Sequence, residues 1–369
     1  MHHNALCSSA PCKIILSGEH AAVYGLSAIA SAVALRTRCC IKRHNAHDPK
    51  QLIVHISNDT YSFDVNTLLS RLPSVQTLSD SSFQSSILLF EDIIPQNAKD
   101  VRPLLIILLL LTHISASISS ETDPSLFSIS LTITSEIPQG IGLGSSAALC
   151  TSLSALFLCW FGKFGLFPNE QDLESVAKWA RLGEIIFHGT PSGIDTATCT
   201  YGKFVAVEKH QPRLITLPTL EVIIVDSKRV RPAGGTAAAV AMVERRVKED
   251  KQVIHALDKM HGIANTIISS SPHGLPLPDL ADLLEANHEL LNEIGVGFDE
   301  AESIRAICKN YDVVCKITGS GMGGCLVGVP KHFMQNLLPV VDALNTAGFP
   351  TYTTTLGCQG VLLEVIEEE

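Results

Sequence analysis

The clearest alternation of apolar and polar residues lies at positions 127–133, FSISLTI. Apolar side chains at every second position indicate a β-strand with one face against a core and the other in water. After Pro138 and three glycines, large apolar residues recur at helical spacing at positions 149, 153, 156, 157 and 160. The intervening segment IPQGIGLGSSAAL, residues 137–149, is therefore predicted to be a turn that leads from a strand into a helix.

The same criteria predict further elements along the chain. Asn169 is a candidate N-cap, with Glu170 and Asp172 in the first turn of a helix that runs to about Phe187. Glu184 lies near the end of this helix, and the loop HGTPSGID (188–195) follows it. The remaining predictions are strands at 203–208, 220–226, 313–318 (VVCKIT), 325–329 (CLVGV) and 360–365 (GVLLEV), and helices at 236–257 and 280–294.

Length and composition indicate a two-domain globular protein. The chain has 369 residues, of which 46% are hydrophobic and 17% charged. One core rarely grows to this size, and so apolar a chain is not disordered. The polar segment SKRVRPAGG, residues 227–235, is the predicted crossing, so we expect an N-terminal domain at 1–228 and a C-terminal domain at 229–369.

Charge and cysteine usage restrict the possible partners. With 27 Lys and Arg against 37 Asp and Glu, the formal net charge of −10 argues against nucleic acid. The apolar run at residues 104–111 is too short to span a bilayer and is predicted to be a buried core element. Eleven cysteines without a CxxC pair and no secretory h-region favour reduced thiols, a cytoplasmic location and no membrane association.

The glycine turn offers the first chemistry. Gly140, Gly142 and Gly144 lack the Cβ atoms that would keep a ligand from the backbone. Free N–H groups and the dipole of the following helix attract an anion such as phosphate. Ser145 and Ser146 add hydroxyls that can cap the helix or reach a magnesium ion. No GK[ST] follows, so this is not a Walker A loop, and a plain turn with a serine cap remains the alternative.

Two other segments supply the remaining groups for phosphoryl transfer. That reaction needs a phosphate cradle, a magnesium ligand, a cation and a carboxylate near the attacking hydroxyl. The candidates are Lys13, Glu19 and His20 near the N-terminus, Glu184, and Ser192 and Asp195 in the loop after it.

Several of these residues also have an interpretation that involves no phosphoryl transfer. Lys13 and Asp195 are compatible with a purely structural ion pair. The remaining interpretations are a turn residue for His20, an N-cap for Thr236, and a transition-metal pair for Glu184 and His188, four residues apart on a helix.

A second glycine loop, residues 319–324, formally matches the dinucleotide fingerprint GxGxxG. That fingerprint requires a helix directly after the glycines, whereas CLVGVP predicts a strand. A protein-kinase loop is excluded as well, because only residues 325–369 remain and they contain no HRD or DFG. We expect this loop to support the first phosphate site from the second domain.

Taken together, these segments resemble the GHMP kinase superfamily. The resemblance rests on KIILSGEHAAVYG (13–25), PQGIGLGSSAA (138–148), EIIFHGTPSGID (184–195) and KITGSGMGGC (316–325), with weaker similarity at 287–297. The first and third segments point to the mevalonate kinase branch. The resemblance implies an α+β fold, with a ribosomal-protein-S5-like N-terminal domain, a ferredoxin-like C-terminal domain and the active site between them.

The resemblance also implies roles for single residues in ATP-dependent phosphorylation of mevalonate. Asp195 would be the catalytic base, with Lys13 paired to it, and Ser146 and Glu184 would hold Mg²⁺. The ATP phosphates would lie on Gly140, Gly142, Leu143, Gly144, Ser145 and Ser146, and the substrate would face His20, Glu19, Ser192 and Thr236. A homodimer and inhibition by prenyl diphosphates are further implications.

Two different functions would also fit these segments. Another GHMP kinase, such as phosphomevalonate or homoserine kinase, would share them, but a phosphorylated substrate needs extra cations. Lys228, Arg229 and Arg231 are the clustered candidates. A non-catalytic relative would keep the fold and lose the chemistry.

Two departures from the family pattern bear on activity. Cys12 stands where a glycine is common, and Met322 interrupts the usual glycine run. A Cβ at either position could narrow the nucleotide pocket or shift the loop.

Overall fold

The computed structural model describes residues 4–45, 49–71, 80–118, 127–138, 140–189, 191–209, 211–271 and 274–366. Gln139 and Thr190, which belong to two of the motifs above, lie outside the described residues. The architecture is α+β, as predicted, with helices packed against a sheet.

Within these ranges, twelve strands form one sheet. They are β1 (Ala5–Ser17), β2 (Ala28–Arg43), β3 (Gln51–Ile56), β4 (Asp59–Asp64), β5 (Ile129–Ser135), β6 (Phe204–Glu208), β7 (Gln211–Ile215), β8 (Leu220–Asp226), β9 (Val313–Ile317), β10 (Cys325–Pro330), β11 (Thr351–Leu356) and β12 (Leu362–Val365). The order β4-β3-β5-β2-β11-β8-β10-β9 forms the main path, β1 pairs with β2 and β12, and β6 pairs with β2 and β7. Only the β3–β5 pairing is parallel among these.

The described α-helices number eleven. They are α1 (Val65–Ser70), α2 (Asp80–Ser85), α3 (Val101–Ile118), α4 (Ser145–Trp160), α5 (Glu170–His188), α6 (Ile194–Tyr201), α7 (Gly235–Glu249), α8 (Lys251–Ser270), α9 (Leu277–Glu293), α10 (Asp299–Lys309) and α11 (Leu338–Thr346). Helices α3, α4 and α5 pack together over β2, β3 and β5, whereas α8 to α11 cover β8, β9 and β10.

Helix α3 is the core element that the sequence predicts. Residues 104–111 are all buried, and 67% of the 18-residue helix lies inside the protein. The helix is longer than the apolar run, and by length and composition alone it would be able to cross a membrane. Its burial against α4 and α5 explains the apolar composition instead.

Several local predictions are confirmed. In β5, Ile129, Leu131 and Ile133 are buried. Helix α5 begins with a capping box in which Asn169 and Asp172 each accept the other's backbone N–H. The single helix predicted at 236–257 is wrong, however. Asp250 adopts extended geometry there and its carboxylate caps α8 by accepting the backbone N–H of Gln252, so two helices form.

The cysteines differ from expectation in one pair. Strands β1 and β2 place Cys7 directly opposite Cys40, with Cα atoms 4.1 Å apart, and the two side chains form a disulfide. Direct cross-strand opposition brings the sulfur atoms together. The expectation of reduced thiols is therefore wrong for this pair, while the other nine cysteines are free.

The two halves of the sheet meet along a narrow seam. Strand β8 pairs with β10 and β11, and β11 reaches β2 through one residue pair, Leu356 and Val33. Strand β12 returns to pair with β1. The boundary between residues 228 and 229 remains a prediction, because the sheet is continuous across both parts of the chain.

Candidate active site

The first glycine turn leads directly into α4. Gly140, Gly142 and Gly144 all adopt positive φ values, of 78°, 88° and 73°. Gly144 is the N-cap of α4, and no side chain caps the first turn of the helix. Its N–H groups are therefore available to a ligand, as an anion site requires.

Lys13 lies against this turn. Its backbone N–H donates to Leu143 O at 3.0 Å, and a Cβ at Gly144 would come within 2.9 Å of Lys13 Cε. The absence of a side chain at Gly144 thus allows the lysine to cross the turn. This contact joins strand β1 to the predicted phosphate site.

The Lys13 ammonium reaches Asp195 on the other side. Lys13 Nζ and Asp195 Oδ2 are 3.1 Å apart, and Asp195 occupies the first turn of α6. Burial by itself lowers the pKa of Lys13, but the charge and hydrogen bond of Asp195 outweigh it, so the net shift is upward. The lysine is therefore held charged, while 27% of the Asp195 side chain remains exposed.

Glu184 is a buried carboxylate beside the same turn. Burial and the negative charge of Asp195 raise its pKa to about 8, against a hydrogen bond from Ser146 and the charge of Lys13. Glu184 Oε1 is buried with no hydrogen-bond partner. Next to it, His188 Nε2 is 3.7 Å from Glu184 Oε2 and 3.4 Å from Ser146 Oγ.

This arrangement fits Mg²⁺ bound together with a phosphate. No group of three His, Cys, Asp or Glu able to hold a metal exists in the described part of the chain. Magnesium in nucleotide sites, however, takes only one or two carboxylates plus phosphate oxygens and water. Glu184 Oε1 without a partner and the neighbouring Ser146 hydroxyl match that need, whereas a transition-metal site at Glu184 and His188 lacks a third ligand.

Glu19 is committed to other protein groups. Its carboxylate is 1% exposed, forms an ion pair with the fully buried Lys316 and accepts a hydrogen bond from Asn287 Nδ2 at 3.0 Å. Lys316 also donates to Ile15 O at 3.2 Å. These contacts, which we call the Glu19 cluster, join the N-terminal segment to β9 and α9. Direct contact between Glu19 and a substrate remains a prediction.

The other predicted substrate residues are linked through the second loop. His20 Nε2 is 3.0 Å from Ser320 O, and Ser320 Oγ donates to Thr236 Oγ1 at 3.4 Å. Ser192 is exposed, and its hydroxyl accepts the backbone N–H of Ile194 at 3.5 Å, one residue before Asp195. The structure therefore links His20 and Thr236 to the second loop, while Ser192 lies in the segment just before Asp195.

The second glycine loop connects antiparallel strands β9 and β10, so no helix follows it. It contacts the first turn directly, because the Cys325 N–H donates to Ile141 O at 3.0 Å. Met322 adopts a positive φ of 58° and is held by its N–H to Val296 O. The two loops therefore contact each other through the backbone, and support of a phosphate site by the second loop remains a prediction.

The Cys12 side chain faces the core and not the cleft. It is fully buried, burial raises the pKa of its thiol, and it packs among the apolar residues around β1 and β2. A Cβ at this position therefore does not narrow the pocket.

Arg231 and Lys316 were not among the predicted site residues. A lysine inside the apolar strand VVCKIT was the available indication for Lys316, since buried lysines need a partner. For Arg231, the indication available in the sequence was its position in the basic cluster with Lys228 and Arg229.

The fold and these loops define a class of kinase. Residues 109–203 match the family described as GHMP kinases N terminal domain. Two solved structures share the fold across nearly the whole chain. The mevalonate kinase of Methanococcus jannaschii gives a TM-score of 0.73 at 21% identity, covering 95% of this chain and 98% of that one. The L. major mevalonate kinase in complex with R-mevalonate gives 0.69 at 22%, covering 98% and 97%.

Curated relatives narrow this class. The Arabidopsis thaliana mevalonate kinase is 30% identical over 388 residues, which cover 95% of this chain and 97% of the relative. The mouse mevalonate kinase is 28% identical, covering 98% and 95%. The chain therefore belongs to the mevalonate kinase family, and it is a kinase that uses ATP.

Proposed function

We propose that this enzyme transfers the γ-phosphoryl group of ATP to the primary C5 hydroxyl of mevalonate, giving 5-phosphomevalonate. The observation that carries the proposal is the Lys13–Asp195 pair, 3.1 Å apart and lying directly across the glycine turn at Gly144. A carboxylate for the hydroxyl proton and a cradle for phosphate are thus adjacent. The names of the relatives supply the identity of the acceptor.

The residues of the site divide the tasks of this reaction among them. Asp195 accepts the proton of the acceptor's hydroxyl group. The hydroxyl oxygen bonds to the γ-phosphorus while the bond from that phosphorus to the bridging oxygen breaks, and ADP leaves. Lys13 orients Asp195 and offsets negative charge near the transferred group. The turn from Gly140 to Ser146 binds the phosphates. Ser146 and Glu184 would hold Mg²⁺, which neutralises phosphate charge when bound.

The basic cluster favours an unphosphorylated acceptor. Lys228 forms an ion pair with Asp226 at 3.0 Å, and Arg229 forms one with Glu300 at 3.2 Å. Two of the three cations that a phosphorylated acceptor would need are therefore already paired. This observation supports mevalonate over phosphomevalonate.

A coupled ADP-release assay across mevalonate, phosphomevalonate, homoserine and galactose tests the proposal. We expect turnover of mevalonate to exceed that of the other three by at least about 100-fold in kcat/KM, because specificity for a polar acceptor rests on several matched hydrogen bonds. A preference for phosphomevalonate would replace the assigned acceptor. No turnover of any acceptor would support a non-catalytic role.

If Glu184 is a metal ligand, replacing it should preserve the stability of the protein and lower its activity. Glu184→Gln should leave the metal-free protein at least as stable as the wild type, because a buried amide needs no ionisation, and should lose most turnover at any Mg²⁺ concentration. The raised pKa of Glu184 determines how the stability difference between the variant and the wild type changes with pH. The neutral carboxyl of Glu184 contributes to the free energy of unfolding of the wild type. This contribution is fully present below pH about 4.5 and is lost as the pH rises through about 8.

The advantage of Glu184→Gln should therefore grow over that range in urea unfolding with EDTA. Glu174→Gln, on the exposed face of the same helix, is the control and should change neither property. An ordinary magnesium requirement in Glu184→Gln would rule out the ligand assignment.

The setting of the activity is also part of the proposal. The product would enter isoprenoid and sterol precursor synthesis in the cytoplasm. A homodimer and inhibition by prenyl diphosphates competing with ATP follow from the resemblance to the family.

A further inference from the structure

The Arg231 guanidinium lies between the two glycine turns. A Cβ at Gly142 would lie 2.1 Å from Arg231 Nη2 and one at Gly324 would lie 2.3 Å from it, so the guanidinium packs directly against both glycines. The surrounding backbone is closely tied: Gly324 N–H donates to Arg229 O at 3.2 Å, and Cys325 N–H donates to Ile141 O. A single cation is thereby fixed where the first turn, the second loop and the crossing segment meet.

The Arg231 side chain is half-buried, and its guanidinium has no acidic partner in the part of the chain that the structure describes. No carboxylate oxygen among the described residues lies within 4.0 Å of it, whereas Arg229 and Lys228, on the same segment, are both paired. Arg231 Nε is buried without a hydrogen bond. Burial lowers the pKa of Arg231, with a smaller opposing effect of the Cys325 thiol. A partly buried cation without a counter-charge gains from a ligand that supplies one.

The position of Arg231 selects the chemistry of that ligand. Lys13 crosses the turn at Gly144 and Arg231 meets it at Gly142, so the two cations flank the same row of backbone N–H groups. The charge of Lys13 is shared with Asp195. Of the two cations at this turn, Arg231 is therefore the one whose charge is available to bind an anion. The net charge of the protein is −10, so an anionic ligand needs such a local cation. A planar guanidinium suits two phosphate oxygens at once.

We propose that Arg231 binds the phosphate chain of the nucleotide, bridging the first glycine turn and the second glycine loop. The inference rests on the proposed kinase function but concerns nucleotide binding alone. Arg231 thereby makes the second loop part of the nucleotide site, although that loop does not have the geometry of a dinucleotide fingerprint. A purely structural clasp between the loops is the competing explanation.

Titration calorimetry without acceptor separates the two. The wild type, Arg231→Gln, Arg231→Lys and the control Arg229→Gln are titrated with ATP, ADP, AMP and inorganic tripolyphosphate. We expect Arg231→Gln to weaken ATP and tripolyphosphate about 10- to 100-fold, the range for hydrogen bonds to charged groups, and AMP less than about threefold. Arg231→Lys should recover part of the loss, and Arg229→Gln should match the wild type, because its cation is occupied by Glu300.

Three results would overturn the proposal. The first is ATP binding by Arg231→Gln equal to that of the wild type. The second is an equal loss for ATP and AMP with a lowered unfolding midpoint, which would identify a clasp. The third is unchanged nucleotide binding with a raised KM for the acceptor alone, which would place Arg231 at the acceptor. Because the titrations need no acceptor, a wrong acceptor assignment leaves their outcome intact.

Discussion

Replacing Asp195 by Asn should lower kcat about 10²- to 10⁴-fold while changing ATP affinity no more than several-fold. Asparagine has nearly the same shape but cannot take up the proton of the attacking hydroxyl, and general-base catalysis is worth about that much. The proposed nucleotide contacts lie across the turn at Gly140 to Ser146 and do not include residue 195. Coupled turnover and a separate nucleotide titration measure the two effects.

The Asp59→Asn variant is the matched control. Asp59 is also paired with a lysine, Lys99 at 3.0 Å, but it lies in the β3–β4 hairpin and not among the proposed site residues. It should behave as the wild type in both assays. Ordinary turnover by folded Asp195→Asn would remove the base assignment and leave the Lys13–Asp195 pair as a structural one.

The largest effect on stability is expected at Lys316. Lys316→Met should lower the free energy of unfolding by roughly 3–5 kcal/mol, because it leaves the buried carboxylate of Glu19 without its counter-charge. Methionine fills a similar length, so the loss is mainly electrostatic. Urea unfolding followed by circular dichroism measures the change.

Two further variants make this prediction specific. Lys331→Met removes a lysine paired with Asp282 on the surface, which should cost less than about 1 kcal/mol. The double variant Lys316→Met with Glu19→Gln should be more stable than Lys316→Met alone, since no unpaired charge remains. If Lys316→Met unfolds at the same urea concentration as Lys331→Met, the Glu19 cluster does not hold the two parts of the chain together.

Local sequence patterns were sufficient to predict elements that have one buried face and one exposed face. Strand β5 has one wet face and α5 has a polar stripe and a capping box, so their periods are visible in the sequence. Strand β1 is buried on nearly every residue, ALCSSAPCKIILS, and such strands lose the alternation that would reveal them. The break at Asp250 was missed because a mid-helix aspartate resembles any polar surface residue until its side chain caps the next helix.

The candidate site was predictable where its motifs are contiguous. The glycine turn, Ser146, Glu184 and Asp195 lie close in sequence, and their segments carry the resemblance to the family. The partners of Glu19 could not be found this way, because Lys316 is 297 residues away and the pairing depends on how β9 docks against β1. The position of Arg231 likewise depends on two glycines, 142 and 324, that come together only in the fold.

The crossing of Lys13 over Gly144 restricts how this sequence can diverge. A side chain at position 144 and a long side chain at position 13 would occupy the same space, since a Cβ there comes within 3.0 Å of both Lys13 Cε and Cγ. The two positions lie 131 residues apart (144 − 13) and are still not free to vary independently. A shorter residue at position 13 would leave Gly144 undisturbed, whereas a side chain at position 144 requires Lys13 to move or to be replaced, so a descendant that fills position 144 would be one that has already displaced or lost its lysine.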